Sequence, residues 1–442
     1  MTHSHIVVGL AFGDEGKGSW VDHLVRKHGI KYVVRFNGGS QAAHHVVTPE
    51  GATHCFAQFG SGTLVPGTAT ILSRFMLVDP EAWLKEAARL VKLGVNFEGL
   101  VLVSENAPII SPFNRILNRI QEVSRGGSRH GSCGFGIGIT QGDVETLGEQ
   151  ALYARDLLTD RLAEKLAWLR ERRFAESERY ESPLTTVLRA ELISVDLSYY
   201  AELFQYFSQR VRIVSDDEIA HIIANNSTVF EGAQGVLLDQ RYGTFPHCTR
   251  SNTTLQNAEA LLQEAGFKGD VEKIGLLRGY GTRHGAGPLV TEDNSLPIPA
   301  CHNALNEWQG QFRIGWFDAV MARYALEVVG KVDTLAITNL DRMRGLDRIQ
   351  IATRYENTVA RFFSASGDSM NVLPNDLKLS QERTGTMGNL VPVYQATPGF
   401  GTHGSKGVEN HLDILAEAMG HQVHAYSESI DHRKVYRRSS NG

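Results

Sequence analysis

The chain has 442 residues, 44 of them Lys or Arg and 49 Asp or Glu, for a formal charge of −5, with 42% hydrophobic and 21% charged residues. That balance belongs to a globular protein able to bury a core, and without a basic footprint it excludes general nucleic-acid binding as a leading function. Cys55, Cys133, Cys248 and Cys301 are dispersed and form no Cys-x-x-Cys pair, which argues against a disulfide framework or a structural zinc site. No apolar run approaches the ~20 residues of a membrane span, and the polar start Met1 to His5 predicts no leader, so a cytoplasmic protein away from membranes is expected.

In chain order, the apolar run Ile6-Val7-Val8-Gly9 enters the loop Gly13-Asp14-Glu15-Gly16-Lys17-Gly18, and helical spacing follows from Trp20 to Arg26. This predicts a strand, phosphate loop and helix. The loop misses the usual pattern, because Ala11 stands where the first glycine belongs and Gly18 follows Lys17. Tyr32 to Phe36 reads as a second strand before the turn Asn37 to Gln41, and Thr70 to Val78 as a third. Pro80 opens a helix through about Leu93, with Trp83, Leu84, Ala87 and Leu90 on one face. Seven glycines between Gly126 and Gly142 predict a mobile ligand loop without packed helix or strand. Leu157 to Glu181 reads as a charged amphipathic helix. Strands are expected to begin at Val229 and to span Val332 to Ile337. The alternation predicts an α/β fold with a large, mostly parallel central sheet and helices on both faces. No boundary stands out, so one domain over residues 1–442, with inserted subdomains, is expected.

Lys17 and the amides around it suit phosphate oxygens. Asp14 beside bound phosphate suits a Mg²⁺ ligand, a general base or both; a helix-capping turn aspartate is the plain alternative. His44 or His45 suits a general acid, against a merely structural histidine after a turn. Gln234, within Gly-Ala-Gln-Gly, can both donate and accept as a purine six-position demands, and Asp341, near Asn339 at a strand end, can accept from guanine N–H groups. Arg283 and Arg313 offer forked donors for carboxylate or phosphate.

Together these segments resemble the adenylosuccinate synthetase family. The resemblance rests on Gly13 to Gly18, on Tyr32 to His44, and on Phe230-Glu231-Gly232-Ala233-Gln234-Gly235 with Leu237-Leu238-Asp239. It continues through Gly243-Thr244, Pro246, Thr249, Ser251 to Thr254, Thr282-Arg283, Gly285 to Pro288, Gly315-Trp316 and Leu340-Asp341.

The resemblance implies a P-loop-related fold and a two-step ligase. Asp14 would take the N1 proton of a 6-oxopurine nucleotide such as IMP. The resulting oxyanion would attack the γ-phosphate of GTP or ATP, and an amine, aspartate in the family, would displace the 6-phosphate. It assigns His44 as acid, Gln234 to the purine six-position, and Mg²⁺ to Asp14 and the Ala43 carbonyl. It places Gly13, Glu15, Gly16, Lys17, Gly18, Asn339 and Asp341 around the donor nucleotide, and Gln41, Ser132, Cys133, Thr249, Arg283 and Arg313 around the substrates. A homodimer with a neighbour's arginine at the nucleotide is also implied, Arg155 being the nearest candidate.

Several segments depart from the family. Ser132-Cys133-Gly134-Phe135 stands for Thr-Thr-Gly-Arg, and Thr338-Asn339-Leu340-Asp341 for Thr-Lys-x-Asp. Glu307 to Arg313 replaces an arginine-rich amino-acid loop and keeps only its last arginine. Ser19, Gln41 and the segment Ser427 to Asp431 also differ. The changes point to a paralogue acting on GMP or dGMP, or with another amine. A non-catalytic nucleotide-binding regulator is the alternative from another class.

Overall fold

The strand β1, His3–Gly9, is buried on both faces from Ser4 to Gly9, as a continuous apolar run in a parallel sheet should be. Ile6 and Val8 face the largest hydrophobic cluster, while Val7 packs with Trp20, Val21, Leu24 and Val25 of the helix α1, Lys17–His28. The computed structural model describes residues 2–48, 50–298, 308–401, 404–429 and 431–438.

β1 sits inside a ten-stranded sheet. Its spatial order is Val435–Arg437, Ala425–Ser427, Thr334–Thr338, Asp270–Arg278, β1, Thr228–Glu231, Tyr32–Arg35, Ala69–Leu72, Val101–Ser104 and Arg212–Val214. Every pairing is parallel except that of the last two strands in the chain. The mostly parallel α/β architecture expected from the alternation is therefore present. Parallel strands deliver their C-terminal ends to one edge, where open α/β sheets place their ligands. The loops leaving β1, Tyr32–Arg35, Thr228–Glu231, Asp270–Arg278 and Thr334–Thr338 all emerge there, and they carry most of the candidate residues.

Local predictions hold where periodicity is strong. The helix expected from Pro80 runs Pro80–Lys92, with Pro at its start and Asp79 capping the Ala82 N–H. Three expectations are corrected. The strand expected over Thr70 to Val78 is only Ala69–Leu72, because the backbone then turns to hydrogen-bond Gly38 and Pro108. The helix expected over Leu157 to Glu181 is a short 3₁₀ turn, Ala154–Leu158, followed by Leu162–Ser177. The glycine-rich stretch is not all loop, since a helix spans Ile137–Leu147. Gly136 at φ 81° opens it, Ile137 buries beside Leu77 and Ile110, and Thr140 and Asp143 accept hydrogen bonds from Asn114 Nδ2. Tertiary contacts outweigh the ~1 kcal/mol that each glycine costs a helix. Glu307, Cys301 and Ile430, which figure in the sequence reading, lie outside the described residues.

Candidate active site

The phosphate loop closes on its own glutamate. Glu15 is fully buried; its Oε1 accepts from the Ala11 and Gly13 amides at 3.0 and 2.8 Å, and its Oε2 accepts from Lys17 Nζ at 2.6 Å. The Glu15 side chain thus faces inward as the strut of the loop. Gly13 and Gly16 adopt φ of 94° and 80°, which glycine tolerates freely. No side chain caps α1, so the amides at its start remain available to an anion.

Asp14 also holds a left-handed backbone, φ 66°, and its partly exposed carboxylate points out of the loop. Oδ2 accepts from His284 Nε2 at 2.9 Å, and Arg278 Nη1 donates to the Asp14 carbonyl at 3.2 Å. Burial pushes the Asp14 carboxyl up, but the His284 hydrogen bond and the charges of His284, Arg278 and Lys17 outweigh it and hold it at about 2. His284 escaped the site reading of the sequence.

His44 begins the strand His44–Val47 and lies against Gly18, where an added Cβ would sit 2.9 Å from His44 Cβ. Its Nδ1 donates to Glu231 Oε1 at 2.5 Å; Ser61 bonds the same carboxylate through its hydroxyl and through its amide at 2.9 Å. The acceptor-only carboxylate fixes the tautomer, leaving Nε2 as the working nitrogen of His44. Burial lowers the affinity of His44 for a second proton, and Glu231 opposes that. Despite its own burial, Glu231 is held at about 2, chiefly by Arg35 and then by His44. Glu231 is the second residue that sequence reasoning missed.

Gln234 follows on the loop from the same strand, at φ 56°. Asn37 ties this loop down, accepting from the Ala233 amide at 2.7 Å and donating to the Ala233 carbonyl at 3.0 Å. An added Cβ on Gly235 would collide with the Ala11 carbonyl at 2.2 Å, so only glycine lets the two loops touch. Among the candidate site residues, three carry a buried acceptor with no hydrogen-bond partner among the described residues: Gln41 Oε1, Gln234 Oε1 and Asp341 Oδ1. The first two approach the Gly38-Gly39 turn, with an added Cβ 3.3 Å from Gln234 Oε1 at Gly38 and 3.1 Å from Gln41 Oε1 at Gly39. Asp341 follows Thr338, whose hydroxyl donates to the Glu15 carbonyl at 2.9 Å, so it stands on the other side of the phosphate loop beside Asn339. Burial raises the Asp341 carboxyl.

The remaining candidates are placed less openly. Arg283 is buried and donates to the Ala286, Pro288 and His247 carbonyls and the Thr244 hydroxyl, with its guanidinium 4.2 Å from the Phe12 ring centre. Arg313, directly across the hairpin from Arg283, spends its donors on Glu292 and on the Gly285 and Gly287 carbonyls. Both arginines brace the 285–288 turn. Ser132 donates to Asn118 Oδ1 at 2.9 Å. Burial pushes the Cys133 thiol up to about 11, so it stays protonated. The Thr249 amide donates to the Leu238 carbonyl at 2.8 Å. The stretch before the 137–147 helix abuts the 285–287 turn, since an added Cβ on Gly131 would meet the Ala286 amide at 3.0 Å. Trp308 lies over Gly134, 2.9 Å from such a Cβ, and Arg119 approaches its ring at 5.2 Å.

Hard oxygen donors suit Mg²⁺. The Asp14 carboxylate and the Ala43 carbonyl are donors of that kind, and Ala43 precedes His44, which packs on Gly18. Asp14, Lys17, His44, Gln41, Gln234, Asn339 and Asp341 are thus gathered around one loop, whereas Arg283 and Arg313 brace its rim.

The adenylosuccinate synthetase family pattern matches residues 6–433. Among curated proteins, the adenylosuccinate synthetase of Cyanothece sp. is 33% identical over 428 residues, covering 94% of this chain and 90% of that protein. That of Dehalococcoides mccartyi is 30% identical over 427 residues, covering 94% and 92%. A fully ligated adenylosuccinate synthetase from Plasmodium falciparum superposes with a TM-score of 0.77 at 19% identity, covering 99% of this chain and all of that one. The succinoaminodeoxyadenylate synthetase of cyanophage S-2L, bound to dGMP and dATP, gives 0.60 at 15%, covering 99% and 95%. At such identities the two structures establish the fold.

Proposed function

This chain belongs to the adenylosuccinate synthetase family of C–N bond-forming ligases, and we propose that it activates the 6-oxygen of IMP with GTP before an amine displaces the phosphate. The observation that carries the reading is the set of orphaned acceptors. Gln41 Oε1, Gln234 Oε1 and Asp341 Oδ1 are buried without partners among the described residues. A buried acceptor left unmade costs about 1–3 kcal/mol, so these three await donors. On the Gly38 side the donors to Gln41 and Gln234 are ribose hydroxyls of the nucleotide or, in a guanine nucleotide, its 2-amino group, because the single base N–H of IMP goes to Asp14; the N1–H and 2-amino groups of a guanine supply them to Asp341.

In the proposed reaction Asp14 accepts the N1 proton. Because His284 depresses its proton affinity, the hydrogen bond from His284 must lengthen or shift as the purine enters. Lys17 leaves Glu15 to meet the donor phosphates, with the α1 amides beside it, and His44 Nε2, steadied through Glu231, donates to the transferring phosphoryl oxygens. Positioning and charge stabilisation of this kind dominate phosphoryl transfer. Mg²⁺, held by Asp14 and the Ala43 carbonyl, supplies neutralisation of phosphate charge when bound. The protein works in the cytoplasm, as a homodimer and as a single domain.

A second reading concerns the amine. Arg313 has its donors committed to Glu292 and two carbonyls, and Trp308 rather than a basic residue covers Gly134. Both features favour an amine less acidic than aspartate. The test is phosphate release and product mass with GTP or ATP, with IMP, GMP or dGMP, and with a panel of amino acids. Turnover with IMP and GTP is expected; none with any 6-oxopurine would overturn the proposal, and efficient turnover with aspartate would remove the second reading.

A further inference from the structure

The opposite end of β1 gathers imidazoles that the ligase chemistry does not use. His3 and His5 alternate onto the α1 face of the strand, His28 lies in the last turn of α1, and Glu272 is the parallel-strand partner of His5. The rings of His3 and His28 flank that of His5, with centroids 4.6 and 5.2 Å away. A donor atom on each of His3, His5 and Glu272 lies within 4.8 Å of the other two.

The decisive atom is His5 Nε2. His5 is 1% exposed, and its Nδ1 lies 2.9 Å from Glu272 Oε2. Glu272 is ion-paired with Arg437 and accepts from the Thr334 hydroxyl, so it stands as an acceptor toward His5 as well. Nδ1 therefore carries the proton and Nε2 presents a lone pair. That Nε2 is buried with no hydrogen-bond partner among the described residues. Oε1 of Glu272 is spent on Thr334 and Arg437, at 2.6 and 2.7 Å, so the carboxylate is anchored and holds the ring in one orientation.

A carboxylate on one imidazole nitrogen, with the other nitrogen bare, is the arrangement that orients metal-bound histidines. Two imidazoles on one tetrahedral ion, at metal–nitrogen distances of ~2.0–2.1 Å, hold their ring centres roughly 5 Å apart, close to the His3–His5 separation of 4.6 Å. The negative end of the α1 dipole, beside His28, favours a cation further. Imidazole donors select zinc, cobalt, nickel or copper over Mg²⁺.

We propose that His5 through Nε2, with His3, binds one divalent transition-metal ion, Glu272 fixing the orientation of His5 and water completing the coordination. The ion would sit on the first strand and, through Glu272 and Arg437, be braced by the C-terminal strand, far from the phosphate loop.

The test uses the full chain, dialysed against a chelator and titrated with Zn²⁺ or Co²⁺ in excess Mg²⁺. Bound metal is read by elemental analysis, and Co²⁺ also by its visible d–d bands. One equivalent is expected in the wild type, with affinity falling at least about tenfold in His3→Ala. The His3 side chain does not lie in the core, so this variant should fold, which the unchanged ligase rate verifies; His5→Asn gives the larger loss if it folds. Absence of a stoichiometric equivalent, or one that survives His3→Ala undiminished, overturns the proposal.

Discussion

Gln234 carries two unusual features at once, a left-handed backbone at φ 56° and a buried amide oxygen with no partner among the described residues. The conformation costs a non-glycine residue about 1–2 kcal/mol, and a protein keeps such strain where a ligand repays it. In Gln234→Gly the relief of strain opposes the greater freedom glycine gives the unfolded chain, about 0.4–1 kcal/mol. Stability measured by denaturant melts should therefore stay within about 1 kcal/mol of wild type. Purine affinity, measured by calorimetry, should fall roughly tenfold or more for the lost hydrogen bonds; equal affinity would remove Gln234 from the purine site. His284 makes a second test. In His284→Ala the Asp14 carboxyl rises from about 2 toward its ordinary 3.8. A depressed carboxyl stabilises the fold above its unfolded pKa, and that contribution is lost as pH falls through the folded value. The wild type should lose this increment between about pH 4 and 2, and the variant should lack it. The acid limb of kcat/KM should move to higher pH in the variant. An unmoved limb would separate His284 from the base.

At the scale of elements, the glycine-rich stretch shows what the sequence could and could not tell. Seven glycines hid the helix Ile137–Leu147, because its stability comes from partners distant in the chain. Arg173 donates to Asn114 at 2.9 Å and to the Asp143 carboxylate, and both residues of that ion pair are buried. Removing one member of such a pair strands the other. Asp143→Ala should cost about 3–5 kcal/mol in denaturant unfolding, and it should raise the KM of the substrate nucleotide, because the helix backs the loop carrying Ser132. A loss under about 1 kcal/mol would mean that water already screens the pair. The phosphate loop was legible from Gly13 to Gly18 because its glycines and Lys17 are contiguous. Glu231 and His284 were not, since their partners His44 and Asp14 lie 187 and 270 residues away in sequence. No local spacing reports a contact of that range.

The whole molecule makes the site a meeting of strand ends. β1, Tyr32–Arg35, Thr228–Glu231, Asp270–Arg278 and Thr334–Thr338 are adjacent in the sheet, yet they span most of the chain. The parallel fold class was legible from alternation alone; the strand order was not, because it depends on which long connections cross which face. If the chain is one domain, nucleotide bound across these five loops must stabilise all of it, and unfolding should stay a single transition that moves as a unit. Ligand at a hundred times its Kd adds about 2.7 kcal/mol to the folded state. With an unfolding entropy of about 2.1 cal/mol/K per residue, a chain of 442 residues shifts its Tm by only about 3 °C. Calorimetry with GTP, IMP and Mg²⁺ together should show that small shift in one peak. Two peaks with only one displaced would divide the chain, and the undisplaced one would mark the part that takes no share in holding the nucleotides.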